Sequence, residues 1–197
     1  MMKALFRAYF VSTCFTFAHS IAYAQQCIHA VSGTVTSIDA KVGMVDIETD
    51  DGTSGHFRWV KTSDGSINFD KAVRVNSTAA DKFTTTGNHV IVYYFGAGTA
   101  RTAVALHDLG DGSMDKSTGR VVNLNRHDHL LTIKDSEGKE LSYDLDPKTL
   151  ADMASSVSQG LKFDLSKGAS VRVIAATAAT GSGTALLIAP VMRELSV

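Results

Sequence analysis

The chain has 197 residues, and its 19 basic side chains nearly balance its 20 acidic ones. This balance argues against nucleic acid or an anionic lipid surface as the main partner, because both demand a basic footprint. A chain of this length is long enough to bury roughly 70% of its unfolded surface. With only two cysteines, the fold must depend on an apolar core.

Residues 1–24 have the pattern of a secretory signal peptide. Lys3 and Arg7 precede an apolar run that ends in AYA at residues 22–24, and small residues at the first and third positions before a cut suit signal peptidase. The run is short and interrupted by hydroxyl side chains, whereas a membrane span needs about 20 apolar residues. We expect cleavage near Ala24, a periplasmic or extracellular address and no transmembrane segment in the mature chain.

Cleavage would leave a single cysteine. Cys14 lies in the segment removed, and Cys27 remains close to the new terminus. No intramolecular disulfide can then form. A lone exported thiol can pair with another molecule, but we interpret Cys27 as incidental.

The two halves of the chain show matched apolar spacing. The stretch SGTVTSID, which begins at Ser32, aligns at an offset of 86 with TGRVVNLN, which begins at Thr118. Further on, Ile47 falls opposite Ile133 at the same offset. Apolar positions match where polar ones do not, which is typical of an internal duplication.

Within each copy the pattern favours β-strands. Val45, Ile47 and Thr49 alternate with Asp46 and Glu48, as in a strand with one buried face. Glycine turns follow, so each copy begins as a three-stranded meander. A fourth strand follows in HVIVYYF or SVRVIAA and a fifth in TAVAL or TALLIA.

One helix is predicted, in the second copy. The stretch DPKTLADMASSVSQG offers Asp146 as a cap, Pro147 in the first turn and Gly160 as the end. At the same place the first copy has SINFDKAVRVNSTAADKF, which predicts an irregular arm with at most one helical turn.

These elements predict a mainly all-β fold: a tandem duplication of a five-stranded small barrel of the oligonucleotide-binding (OB) type, with one short helix inserted in the second copy. The first barrel would span residues 25–109, a linker residues 110–117, and the second barrel residues 118–197.

The pattern resembles a family of uncharacterised exported bacterial small β-barrel repeats. The residues that carry the resemblance are Gly33, Val35, Ile38, Asp39, Gly87, Val90, Val92, Thr102 and Ala103, with Gly119, Val121, Leu124, Asn125, Gly168, Val171, Val173, Thr184 and Ala185. The resemblance implies a small-barrel fold and an address outside the cytoplasm, and it implies no catalytic residues.

Aromatic and arginine side chains in the first copy predict a ligand surface. Trp59 and Tyr94 offer faces on which a base, sugar or aromatic ligand can stack beside Arg101. For Trp59 and Phe57 the favoured interpretation is instead that they are core residues of a small barrel. The loop GAGTAR that contains Arg101 lacks the Gly-Lys-Ser/Thr ending of a phosphate-binding loop and reads as a tight turn.

The stretch RHDHL predicts a weaker metal site. On an extended chain His127 and His129 would point the same way roughly 6.6 Å apart, close enough to share a divalent transition metal. Two ligands make a weak site, and the alignment puts both histidines at a hairpin turn. A third ligand would have to come from His56, His89, His107 or Asp108.

Familiar catalytic signatures are missing from the sequence: it has no Gly-x-Ser-x-Gly elbow and no His-Glu-x-x-His motif. The leading hypothesis is an exported, non-catalytic binding or structural module without a cofactor. It would act through loops or a sheet face on a protein, a glycan or an envelope component. The alternative is a periplasmic metal-binding protein or small metalloenzyme that uses His127 and His129.

Overall fold

The computed structural model describes residues 27–59, 77–153, 156–177 and 182–191. In these ranges the chain is almost entirely β-structure, with single-turn 3-10 helices at Ala80–Lys82 and Gly160–Lys162. The predicted signal peptide and most of the predicted irregular arm lie outside the described residues. No helix in the described ranges is long and apolar enough to cross a bilayer.

Six strands make the first sheet: β1 (His29–Asp39), β2 (Met44–Thr49), β3 (His56–Trp59), β4 (Thr78–Ala79), β5 (His89–Phe95) and β6 (Thr102–Gly110). Their order is β3-β2-β1-β5-β6-β4, and β3 also pairs in parallel with β6. The extra pairing closes five of the strands into a barrel.

Six more strands make the second sheet: β7 (Met114–Asn125), β8 (Leu130–Lys134), β9 (Glu140–Met153), β10 (Ser156–Gln159), β11 (Ser170–Ala176) and β12 (Gly183–Pro190). Their order is β10-β9-β12-β11-β7-β8, and β8 pairs back with β9. The closed ring of five repeats the connectivity of the first barrel strand for strand, and this is the OB arrangement. The predicted all-β class and small-barrel modules are therefore confirmed. Strand β7 begins inside the predicted linker, residues 110–117.

The period-two pattern has the expected physical cause. In β2, Val45 and Ile47 are buried in the first barrel, while Asp46 and Glu48 face outward. Strand β8 repeats this with its own buried pair. Side chains on a strand alternate between its two faces, so each of these strands has one apolar face directed into its own barrel.

Strand β5 is apolar on both faces because both are covered. Val90 and Val92 lie in the core of the first barrel. Ile91 and Tyr93, on the opposite face, are each 1% exposed and pack against residues of the second barrel. We call this shared cluster the inter-barrel layer. Its buried members are Ala30, Ile91, Tyr93, Val104, Ala105, Leu150, Val157, Ile174 and Leu187.

The prediction of a helix that begins near Asp146 is wrong. This stretch forms the end of β9 and then the short strand β10, and the two strands pair as a hairpin. Both faces of β9 are covered here. Leu150 packs in the inter-barrel layer, and Ala151 packs in the core of the second barrel. Burial on both faces removes the period-two signal, and the remaining apolar spacing resembles that of a helix.

Pro147 lies at a break in the sheet, not at a helix start. The pairing of β9 with β12 shifts register between Leu145 and Leu150, and a proline is tolerated at such an irregularity because no ladder hydrogen bond is needed there. The buried hydroxyl of Thr149 bridges the gap. It accepts from the Asp146 amide at 3.0 Å and donates to the Ala185 carbonyl at 2.8 Å.

The close approach of β1 to β2 predicts a large effect of one methyl group. A Cβ added at Gly33 would lie 2.3 Å from the carbonyl oxygen of Glu48, so the backbone of β2 must move. We expect Gly33→Ala to lower the free energy of unfolding, measured in urea, by at least about 2 kcal/mol. Gly112→Ala is the matched control, since no atom lies within 4 Å of its added Cβ. Equal effects of the two substitutions would contradict this packing.

Candidate functional site

Asp50 is a buried carboxylate at the contact between the barrels. It follows β2, and its side chain is 3% exposed. His89 Nε2 from β5 lies 2.9 Å from Oδ2, and Lys116 Nζ from β7 of the second barrel lies 2.5 Å from Oδ1. The backbone amide of Asp50 donates to the Ser32 carbonyl at 2.9 Å. A carboxylate of the first barrel is thus neutralised by a cation of the second.

These contacts decide the charge state of Asp50. Burial by itself raises the pKa of this carboxyl, but the contacts of its oxygens with His89, Lys116 and the Ser32 side chain together outweigh burial and lower the pKa from 3.8 to about 2. Asp50 is therefore ionised over the whole physiological range. A buried carboxylate without such partners would strongly destabilise the fold.

Asp152 is the second carboxylate at this contact. It lies in β9, and its Oδ1 is 2.9 Å from Nδ1 of His29 in β1. The amide of Ala30 also points to its Oδ2, at 3.4 Å. Burial raises the pKa of Asp152, and the contacts with His29 and Ala30 oppose that rise. Beside this pair, the Val157 amide of β10 donates to the Ile28 carbonyl at 2.9 Å.

Of the residues predicted to bind a ligand, Tyr94 and Arg101 meet at one end of the first barrel. The guanidinium carbon of Arg101 lies 5.0 Å from the Tyr94 ring centroid and 5.8 Å from that of Phe57. Its Nη1 also donates to the Thr53 hydroxyl at 3.1 Å and to the Ser54 carbonyl at 2.7 Å. Burial raises the pKa of Tyr94, and Arg101 opposes that rise. Arg101 therefore already occupies one face of the Tyr94 ring.

Trp59, the third predicted ligand residue, lies on the neighbouring strand β3. It pairs with Ala103, which pairs on its other side with Tyr94. Trp59 is half-buried against the core of the first barrel, and its amide donates to the Gly43 carbonyl at 3.0 Å. The indole therefore has a packing role, and its part in ligand binding stays a prediction.

His127 and His129 lie in the turn between β7 and β8. The Asn125 side-chain oxygen accepts from the amides of His127 and Asp128, each at 3.1 Å, and His129 has a positive φ of 55°. The extended spacing on which the metal prediction depended is therefore absent. Among the described residues, no group of three or more His, Cys, Asp or Glu side chains is placed to hold a metal ion.

The other histidines considered as metal ligands have contacts elsewhere. His56 Nδ1 lies 2.6 Å from a carboxylate oxygen of Asp46, and His89 contacts Asp50. Burial lowers the pKa of His107. The metal site at His127 and His129 thus stays a prediction for which the described residues offer no third ligand.

A groove on the outer face of the second barrel was missed from the sequence. A row of residues crosses four neighbouring chain segments: Lys134 on β8 pairs with Arg120 on β7, Arg120 pairs with Ser170 on β11, and the amide of Val191 donates to the Ser170 carbonyl at 3.0 Å. Two turns flank this row, and Ser136 and Lys167 lie in them. The cavity has a volume of about 520 Å³. We call it the cationic groove.

Cations outnumber carboxylates around the cationic groove, where Asp135 lines the cavity and Glu140 on β9 pairs with Lys134 on its far side. Arg120, Lys134 and Lys167 line it and are exposed, and within the described part of the chain none of them forms an ion pair. The nearby carboxylate of Asp135 is used by its own turn, because it accepts from the amides of Glu137 and Lys139, each at 2.9 Å. Arg120 and Lys134 stand directly opposite each other, an arrangement that destabilises a sheet. Charges at paired positions of the predicted meander were the signal that could have found this groove.

Comparison with known proteins assigns the chain to no family: no family model matches it, and no curated protein matches its sequence.

The ionised state of Asp50 predicts how stability depends on pH. The folded pKa of about 2 lies below the reference value of 3.8, so the stabilisation is complete above about pH 5 and is lost as pH falls through 3.8 towards 2. We expect Asp50→Asn to cost about 2 kcal/mol of unfolding free energy at about pH 5.5, and much less at about pH 2.5. Urea titrations at both pH values measure the difference.

The control is Asp111→Asn, which removes an exposed carboxylate and should change stability by less than about 0.5 kcal/mol at either pH. A cost of Asp50→Asn that stays the same at both pH values would contradict the paired, ionised state of Asp50.

Proposed function

We propose that the protein is an exported, non-catalytic binding module, and that two OB-type barrels serve it as one rigid scaffold. The observation that carries this proposal is that the buried carboxylates form contacts between the two barrels. Asp50 and Asp152 each meet a group from the other barrel. Perturbed carboxylates in an open cleft are typical of catalytic sites. Asp50 and Asp152 instead hold the two barrels together.

Among the surfaces formed by the described residues, the cationic groove best suits binding. Its cations are free of ion pairs in the described part of the chain, and its volume lies in the range of about 300–1,000 Å³ that is usual for small-molecule sites. By contrast, at the end of the first barrel Arg101 already occupies one face of the Tyr94 ring, and Phe57 is buried in the core. A binding module that acts through a sheet face agrees with this distribution.

Export and internal duplication belong to the same proposal. Export is supported by the basic and apolar pattern of residues 1–24. Duplication, and with it the resemblance to exported small-barrel repeats, is supported by the equal connectivity of the two barrels and by equivalent pairs such as Thr34 with Glu48 and Arg120 with Lys134.

A ligand panel tests binding against turnover. The exported protein, with an N-terminus expected at Gln25, is heated with neutral glycans, acidic glycans, peptides and small amphiphiles. We expect at least one class to raise the melting temperature in a saturable way, because ligand at about 100 times its Kd stabilises the folded state by about 2.7 kcal/mol. Mass spectrometry should recover that ligand unchanged. No shift with any class, or chemical conversion of the ligand, would contradict the proposal.

A further inference from the structure

The two barrels differ in charge at equivalent positions, most clearly where Glu48 of the first corresponds to Lys134 of the second. In the first barrel the row that corresponds to the groove runs through Glu48, Thr34 and His89, each paired with the next. In the second barrel the same places hold Lys134, Arg120 and Ser170. Strand pairing places each row on equivalent strands of its own barrel, so the two rows are structurally equivalent.

In the first barrel, the position equivalent to the cationic groove is occupied by a side chain of the protein itself. Asp50 lies two residues after Glu48, and its buried carboxylate receives the ammonium of Lys116 at 2.5 Å. Lys116 lies near the start of β7, so the second barrel supplies the cation. In the first barrel, therefore, this position on the fold already holds a charged group of opposite sign.

In the second barrel the equivalent position carries positive charge, and its cations are exposed to solvent. Ser136 stands two residues after Lys134, at the place that Asp50 has in the first barrel. The groove thus lacks the carboxylate and has instead the cations of Arg120, Lys134 and Lys167. Arg120 and Lys134 are direct cross-strand neighbours, and their repulsion favours an anion that lies between them, because Glu140 pairs with Lys134 only on the far side.

We infer that the cationic groove binds a small amphiphile whose head group is a carboxylate or a phosphate. This assignment rests on the proposed binding function and names its ligand class. The head group would lie over Arg120 and Lys134, with Lys167 beside it. The apolar chain would lie towards Val122 and Val191, which also line the groove. The near-neutral charge of the whole chain does not oppose this, since short-range ion pairs depend on local charges.

Calorimetric titration of the mature protein with four probes tests the ligand class. Octyl phosphate and octanoate carry both parts of the predicted ligand, octyl glucoside has the chain without the charge, and inorganic phosphate has the charge without the chain. We expect the first two to bind at least about tenfold more tightly than the last two, and to weaken as salt is raised. Whichever of the first two binds more tightly identifies the head group.

Variants locate the binding. Arg120→Gln with Lys134→Gln should weaken octyl phosphate binding at least about tenfold without lowering the melting temperature, because it removes a like-charge pair. Ser136→Asp, which copies Asp50 of the first barrel, should weaken it as well while leaving all three cations in place. The matched control is Lys41→Gln with Arg58→Gln, both exposed on the first barrel, and it should change affinity by less than about twofold.

Three results would overturn the assignment: equal binding of octyl glucoside and octyl phosphate, groove variants that bind normally, or a short polyglutamate peptide that binds as tightly as the amphiphiles. If the panel finds a neutral ligand whose binding these variants leave unchanged, the ligand class is wrong and the binding function stands. If neither the panel nor the amphiphiles bind, both proposals fail.

Discussion

The apolar layer shared by the two barrels is the constraint on which the rest of the structure depends. The outer faces of β5 and β11 carry Ile91, Tyr93 and Ile174, each 1% exposed, and burial of each side chain contributes about 2 kcal/mol. Separate barrels would expose this surface to water. Burial also raises the pKa of Tyr93 to about 12, so its hydroxyl stays neutral. Because the layer covers one face of each barrel, a ligand must bind elsewhere on the surface.

Much of the fold could be predicted because local pattern and burial agree in most strands. Val45 and Ile47 point into a barrel while their neighbours face water, so a period of two survives in the sequence. The prediction failed where that agreement ends. Around Leu150 and Ala151 a strand is covered on both faces, and its apolar residues then follow no strand period. The residues of the inter-barrel layer that covers this strand are present in the sequence, but the sequence alone does not show which faces pack together.

The candidate site was harder to predict, because it depends on residues far apart in the chain. Tyr94 and Arg101 were predicted as parts of one ligand surface, and in the fold Arg101 lies over the Tyr94 ring, but ligand binding there stays a prediction. The histidines of the β7–β8 turn were chosen for their residue type, which carries no information about backbone direction. The cationic groove draws on Arg120, Lys134 and Lys167, which are ordinary surface residues one at a time and become unusual only once the strands are paired.

Urea unfolding followed through Trp59 tests the shared layer most directly. Trp59 is the single tryptophan of the chain and lies in the first barrel, whereas Ile174 belongs to the second. Ile174→Ala should lower the unfolding free energy reported by Trp59 fluorescence by about 2–4 kcal/mol, with one transition that coincides with the circular dichroism signal. Val42→Ala, at an exposed position, should leave it unchanged. A Trp59 transition that does not respond to Ile174→Ala while circular dichroism divides into two steps would show that the barrels fold independently.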